Sequence, residues 1–223
     1  MSKVKRLLVG VLAVGALTAL IGAGTFATFD ATTSNSSTFQ SGTIVLSNTV
    51  GAGTACLSTA AGNPILAANS AGCDALFSTT NQKPGDTASA HVTLVNTGSI
   101  NATTLKLYAT GACANASAPD TNGNFGNGNM CSQLQMTVLE TQSDFTTSTG
   151  SGCIYGGVAC AFSASDTPGD FGTNHQVGSA FNLGALNAAA TRYFVVSVLF
   201  PAAPNNSFQG SQDSLSIAWN AAQ

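Results

Sequence analysis

Short segments in which apolar and polar residues alternate recur along the chain after residue 42. In residues 88–96, Val92 and Leu94 alternate with polar neighbours, and Ile217 and Trp219 do so near the end of the sequence. Successive side chains of a β-strand point to opposite faces, so this alternation predicts strands with one buried face. We predict strands at residues 43–47, 88–96, 103–109, 134–140, 193–200 and 214–220.

Turns rich in Gly, Pro and Asn separate these segments, and no long amphipathic helix follows residue 27. Several short strands with such turns predict an all-β fold, an antiparallel β-sandwich of jelly-roll or immunoglobulin-like form. Residues 43–223 are predicted to form this single domain, after a signal peptide at 1–27 and an extended segment at 28–42. We predict that residues 112–131 and 142–177 are long surface loops.

The first 27 residues have the pattern of a secretory signal. Three basic residues precede an uncharged apolar stretch at 7–21, and small residues lead to Ala27. This pattern predicts cleavage between Ala27 and Thr28 by a signal peptidase, a partner during export, with no stable membrane insertion afterwards. The protein is then secreted to the extracellular matrix or cell surface. The alternative is that residues 7–29 remain as a membrane anchor, because a spanning helix needs about 20 apolar residues.

Charge is scarce throughout the sequence. Residues 28–223 hold three basic side chains, Lys83, Lys106 and Arg192, against nine acidic ones, which leaves a net charge of −6. Nucleic-acid binding depends on clustered Lys and Arg, so the chain has no nucleic-acid partner. Only 7% of all residues are charged, whereas about 25% is typical of soluble domains. A surface of small polar residues favours packing against copies of the same chain.

All cysteines follow the predicted cleavage site. An even number of cysteines in an exported chain is typical of disulfides. Many connectivities are open, and sequential spacing favours the local pairs Cys56–Cys73, Cys113–Cys131 and Cys153–Cys160. A zinc site is the competing interpretation, but the sequence has no C-x-x-C pair, and its two histidines lack ligand-like spacing.

No motif for catalysis is found in the sequence. It lacks H-E-x-x-H and G-x-S-x-G, and we interpret His91 on its strand as a packing or surface residue rather than a ligand. Residues 120–124 have the first spacing of a calcium loop, and Asp166 and Asp170 flank a Pro-Gly turn, but both segments are interpreted as loops. We therefore predict no enzymatic activity, no catalytic residue, no cofactor and no metal site.

Both ends of the chain resemble the TasA/CalY (camelysin) family of exported fibre-forming proteins. The N-terminal similarity lies in GTFATFDATTSNSSTFQSGTIVLS, and the C-terminal similarity in FQGSQDSLSIAWNAAQ. The intervening segment KPGDTASAHVTLVNTGSINATTLKL is also similar to the family. Residues 113–160, with their cysteines, depart from the familiar Bacillus members. The resemblance implies processing by a SipW-type signal peptidase and a role as a biofilm matrix fibre protein.

The resemblance also implies assembly by strand donation, in which an N-terminal segment completes the sheet of the next subunit. The donor residues would be Thr28, Phe29, Asp30, Ala31, Thr32, Thr33, Ser34, Asn35, Ser36 and Ser37. Because the donor and acceptor surfaces differ, the subunits would form a head-to-tail homopolymer that does not close into a ring. The alternative for the segment is that it folds back onto its own domain. The alternatives for the protein are a monomeric or membrane-anchored adhesin of the same fold and a secreted metallopeptidase, the class to which some relatives have been assigned.

Overall fold

The structure is a computed structural model that describes residues 41–58, 74–77, 82–117, 128–202, 206–208 and 210–223. All of these residues belong to one compact unit, residues 41–223. Its described strands are β1 (Leu46–Val50), β2 (Cys56–Leu57), β3 (Thr87–Asn96), β4 (Thr104–Ala109), β5 (Ala114–Ser117), β6 (Gln135–Thr141), β7 (Ser148–Tyr155), β8 (Phe181–Asn182), β9 (Thr191–Leu199), β10 (Ser211–Ser214) and β11 (Ile217–Ala222).

The largest sheet has six antiparallel strands in the order β2-β1-β3-β9-β6-β7. Its centre is the long pairing of β3 with β9, in register from Thr87↔Leu199 to Val95↔Thr191. Along β3, Ala90, Val92 and Leu94 are buried while the intervening residues are more exposed. The predicted alternation on this strand is confirmed, and it directs one face of the sheet to the core.

A second sheet, β11-β4-β8, covers that face. Leu105 and Leu107 of β4 are fully buried in the same core as Val92 and Phe194 of the six-stranded sheet. The ring of Trp219 on β11 lies 4.5 Å from that of Phe194, centroid to centroid. Two antiparallel sheets therefore enclose one apolar core, and the predicted all-β antiparallel sandwich is confirmed.

Two short helices and a small sheet lie beside this core. The helices are α1 (Met130–Gln133) and α2 (Pro168–Asn174), and β5 pairs with β10. Thr167 caps α2 by accepting a hydrogen bond from the backbone N–H of Asp170 at 3.0 Å, and Pro168 occupies the first turn, where it needs no N–H partner. The prediction that 142–177 is irregular is wrong where β7 and α2 form.

The first described strand also starts later than predicted. Residues 43–45 do not extend β1; the carbonyl oxygens of Thr43 and Val45 accept hydrogen bonds from backbone N–H groups of the 97–100 turn instead, such as Ser99 N–H to Thr43 O at 2.8 Å. A run of β-favouring residues does not distinguish a strand from an extended segment that is hydrogen-bonded to a turn. No helix in the described part of the chain is long and apolar enough to cross a membrane.

Candidate functional site

The edge strands of the described sheets differ in how well they could accept another strand. Strands β2 and β8 are two residues long. Strand β7 is longer, but its pairing with β6 is broken by register shifts on both sides of Leu139. Strand β11 runs in unbroken antiparallel register with β4 over six residues, from Ile217↔Ala109 to Ala222↔Thr104. Among the described edges, β11 is the longest regular one.

The hydrogen-bond pattern shows which backbone groups of β11 face away from β4. Thr110 donates its N–H to Ser216 O at 3.0 Å, whereas Leu105 of β4 bonds to Leu183 and Gly184 on the other side. Bonded and non-bonded pairs alternate in an antiparallel ladder. The even-numbered residues of β11 therefore bond to β4, and the N–H and C=O groups of Ile217, Trp219 and Ala221 point to the open edge.

The side chains of the same three residues face the core without being fully covered. Ile217, Trp219 and Ala221 pack against the core cluster, yet each is only partly buried. By contrast, Val92, Leu94 and Phe194 in the middle of the opposing sheet are fully buried. Within the described residues the sandwich is therefore less completely covered along β11, where an added strand would find outward backbone groups that no described strand pairs, together with apolar side chains.

The predicted disulfides are found wherever both cysteines are described. Cys113 pairs with Cys131, and Cys153 pairs with Cys160. Cys56 is also disulfide-bonded, while its predicted partner Cys73 lies outside the described residues. The predicted cleavage site at Ala27 and Thr28, and all donor residues up to Ser37, also lie outside the described residues.

Asp213 of β10 lies beside the first of these disulfides. Its Oδ2 is 3.8 Å from Cys113 Sγ, and the three ligand atoms of Cys113, Cys131 and Asp213 lie within 4.8 Å of one another. Burial raises the pKa of the Asp213 carboxyl, and its own backbone N–H counteracts this only in part. Asp213 could not be predicted from the sequence, because only the β5–β10 pairing brings it next to Cys113.

The two histidines lie in separate aromatic groups. His91 is exposed on β3, and its ring stacks on Phe145 at 4.3 Å. His175 follows α2 and stacks on Phe181 at 4.2 Å, with Tyr155 edge-on at 5.5 Å. The Tyr155 hydroxyl group lies within donating distance of two acceptors, Asp170 Oδ2 at 3.0 Å and Thr167 O at 2.9 Å. Burial raises the pKa of Tyr155 most, and Asp170 raises it further.

Comparison with known protein families gives one match that spans nearly the whole chain. Residues 3–223 match the family described as "Camelysin metallo-endopeptidase". Among curated proteins, none matches the chain. The resemblance predicted from the two ends of the sequence is therefore confirmed, and it extends through the cysteine-containing region.

This match corrects the prediction that the chain is not an enzyme, because the family is described as a metallo-endopeptidase. That prediction rested on missing short motifs and on the pairing of the cysteines. Short motifs detect ligands that are close in sequence, whereas ligands brought together by the fold leave no such pattern.

A catalytic metal would need a group of ligands that the fold brings together. The group of three metal-ligating side chains in this part of the chain is Cys113, Cys131 and Asp213. Two of its ligand atoms are the sulfurs of a disulfide, and a metal ion needs thiolates instead. With the disulfide closed, this group does not fit zinc, and neither described histidine belongs to such a group.

Proposed function

The chain belongs to the camelysin metallo-endopeptidase family, and on this premise we propose that it is a secreted structural subunit of an extracellular filament. In this proposal, residues 28–37 of one subunit add a strand to β11 of the next subunit. The observation that carries the proposal is the open edge of β11, with its outward backbone groups and half-buried core-facing side chains.

Strand addition satisfies both features of this edge. The unpaired N–H and C=O groups of an edge strand are a template for another strand, and alternate side chains of the added strand reach the apolar groove. Residues 28–37 contain no Pro or Gly, and their single charged residue is Asp30. Phe29 is the large apolar side chain of this segment, and we place it against the half-buried Trp219 of the acceptor.

Because donor and acceptor are different surfaces, the contact repeats head to tail and leaves both ends of an assembly open. The low charge of the chain favours this outcome, since copies of the subunit repel each other little. Export and cleavage after Ala27 would release the donor only outside the cell. The proposed location is therefore the extracellular matrix or the cell surface.

The first test compares protein that starts at Thr28 with protein that also lacks residues 28–37. Electron microscopy under oxidising conditions should show filaments for the longer protein alone. Monomers from both proteins would overturn the filament proposal and favour a surface-displayed adhesin of the same fold. Filaments from both would show that assembly does not need the N-terminal segment.

A substitution within β11 tests the acceptor. Ala221→Pro removes an N–H that points to the open edge, and Pro is tolerated on edge strands because its missing N–H then faces away from the sheet. Ala221→Val keeps the N–H and is the matched control for side-chain size. We expect Ala221→Pro to remain a folded monomer and Ala221→Val to form filaments. Filaments of Ala221→Pro would exclude this edge as the acceptor.

A second candidate function is metal-dependent peptide hydrolysis, which the family description favours. The test is cleavage of casein by the purified protein with and without EDTA. Activity that EDTA abolishes and that survives a further purification step would support it. His91→Ala and His175→Ala would then show whether either imidazole is required. If both variants keep their activity, the metal is bound by other residues.

A further inference from the structure

The chain that leads into β11 passes the Cys113–Cys131 disulfide, where Asp213 Oδ2 lies 3.8 Å from Cys113 Sγ. We propose that this disulfide, closed as it is in the structure, is a positioning element that holds the start of β11 in the conformation that accepts a donor strand. This inference rests on the proposed function, because it concerns the same acceptor edge.

The strand before β11 is part of a two-stranded ribbon. In the ladder of β5 with β10, the pair nearest to β11 is Ala114↔Ser214. Residues 215–216 then lead directly into β11, whereas residues 110–113 connect β4 to β5. The two connections differ in length, so the ladder is interrupted at this junction. The position of β10 therefore determines where β11 begins.

The β5–β10 ribbon is a weak anchor by itself. Its two strands pair with each other and with no other described strand. A ribbon of two strands is marginally stable in water without further support. Hydrogen bonds join it to α1, such as Cys131 N–H to Asn115 Oδ1 at 2.9 Å, but Asn115 is exposed and water competes for these groups. The ribbon needs a further link to stay fixed.

The Cys113–Cys131 bond supplies that link at the junction. Cys113 immediately precedes β5, and Cys131 is buried in α1. Helix α2 packs against the same point: a Cβ at Gly172 would lie 2.6 Å from the backbone N of Cys113 and 3.1 Å from Leu215 Cδ1. This close approach requires glycine. A covalent bond to a buried helix residue thus holds the chain where β11 begins.

An acceptor edge that is only partly ordered binds its donor less tightly. The apparent dissociation constant rises in inverse proportion to the fraction of molecules in the binding-competent conformation. If loss of the disulfide leaves the start of β11 ordered in about one molecule in ten, donor binding weakens about tenfold. Ile217 and Trp219 lie at the affected end of the strand, and Ala221 lies at the far end.

The test measures binding of a fluorescein-labelled peptide of residues 28–37 to protein that lacks residues 1–37. Residues 41–223 form one compact unit, so this protein keeps the acceptor. We expect Cys113→Ser/Cys131→Ser to raise the dissociation constant about tenfold. Cys153→Ser/Cys160→Ser is the matched control and should leave it unchanged, because that disulfide lies on β7 in the other sheet.

Hydrogen exchange separates positioning from a general loss of stability. The N–H groups of Ala218 and Asn220 both face β4, and Ala218 is nearer to the start of the strand. In Cys113→Ser/Cys131→Ser, the amide of Ala218 should exchange about tenfold faster than in the parent, and that of Asn220 should change less. An equal increase at both amides would show general destabilisation and would overturn the inference.

A second variant keeps the disulfide and breaks its connection to β11. Two glycines inserted between Ser214 and Leu215 should also weaken peptide binding, because glycine gives this connection conformational freedom. Circular dichroism checks that each protein is folded.

The outcomes distinguish this inference from the proposed function. If the parent protein does not bind the peptide, the proposed function is overturned and this inference with it. If the parent binds and either the Cys113→Ser/Cys131→Ser variant or the glycine insertion binds equally well, this inference alone is overturned. Equal weakening by the Cys153→Ser/Cys160→Ser control would also overturn it.

Discussion

Arg192 connects strand β9 to two other parts of the sandwich. Its guanidinium donates two hydrogen bonds to the Glu140 carboxylate on β6 and a third, from Nη1, to Leu183 O at 2.6 Å. The side chains of Arg192 and Glu140 are only 17% and 13% exposed. The bidentate geometry compensates the loss of hydration of both charges, so neither partner can be removed without leaving an unpaired charge.

We therefore expect Arg192→Ala to lower the free energy of unfolding by about 3 kcal/mol, in the range found when one partner of a buried ion pair is removed. Lys83→Ala is the control. Lys83 pairs with Asp86 through a side chain that is 80% exposed, and such pairs contribute little. Urea unfolding of both variants checks this expectation. Equal, small effects would show that the Arg192 pair is not important for stability.

The loop between β6 and β7 depends on a single carboxylate. Asp144 accepts hydrogen bonds from the backbone N–H groups of Thr146 and Thr147 at 2.9 Å and from the Thr147 hydroxyl at 2.6 Å. It holds Phe145 at φ 56°, in the left-handed region, where its ring reaches His91. These hydrogen bonds lower the pKa of Asp144, with the Thr147 hydroxyl as the largest cause.

The pKa of Asp144 is lower in the folded chain than its value of 3.8 in the unfolded chain. Ionised Asp144 therefore stabilises the fold fully at pH values above 3.8, and this contribution is lost as the pH falls from 3.8 through the lower pKa of the folded state. Asp144→Asn should therefore be less stable than the parent at neutral pH. The difference between their unfolding midpoints should shrink as the pH falls below 3.8. A difference that stays constant across this range would contradict the role of the charge.

At the scale of elements, strands with regular alternation could be predicted and the others could not. Strands β3, β4 and β9 lie within a few residues of their predicted bounds, because each buries one face against a common core. Strand β7 was not predicted, because its sequence STGSGCIY has little alternation and its pairing with β6 is irregular. Tertiary contacts, including the Cys153–Cys160 disulfide, define that strand instead.

The two described disulfides differ in the length of chain that they close. Cys113 and Cys131 are 18 residues apart, and Cys153 and Cys160 are 7 apart. From loop-closure entropy, replacing both cysteines by alanine should cost about 3 kcal/mol for the first pair and about 2 kcal/mol for the second. Denaturant unfolding of the two double variants tests this order. A larger loss for the shorter loop would show that native packing, rather than chain entropy, dominates.

At the scale of the molecule, the candidate sites depend on contacts between distant segments. The cysteine pairs could be predicted from spacing, but Asp213 joins one of them only through the β5–β10 register. The open edge of β11 depends on which strands pair, and alternation alone does not specify pairing. The absence of short catalytic motifs was a poor guide to activity, because the family match points to a metallo-endopeptidase.

The most direct test of strand donation is a photo-cross-link from the donor itself. Phe29→benzoylphenylalanine is made in protein that starts at Thr28, and unlabelled and ¹⁵N-labelled chains are mixed before assembly and irradiation. Mass spectrometry then identifies the attached peptide. The account predicts cross-links between unlabelled and labelled chains that map to residues 217–222 of the acceptor. Cross-links confined to single chains, or attached to another part of the surface, would contradict it.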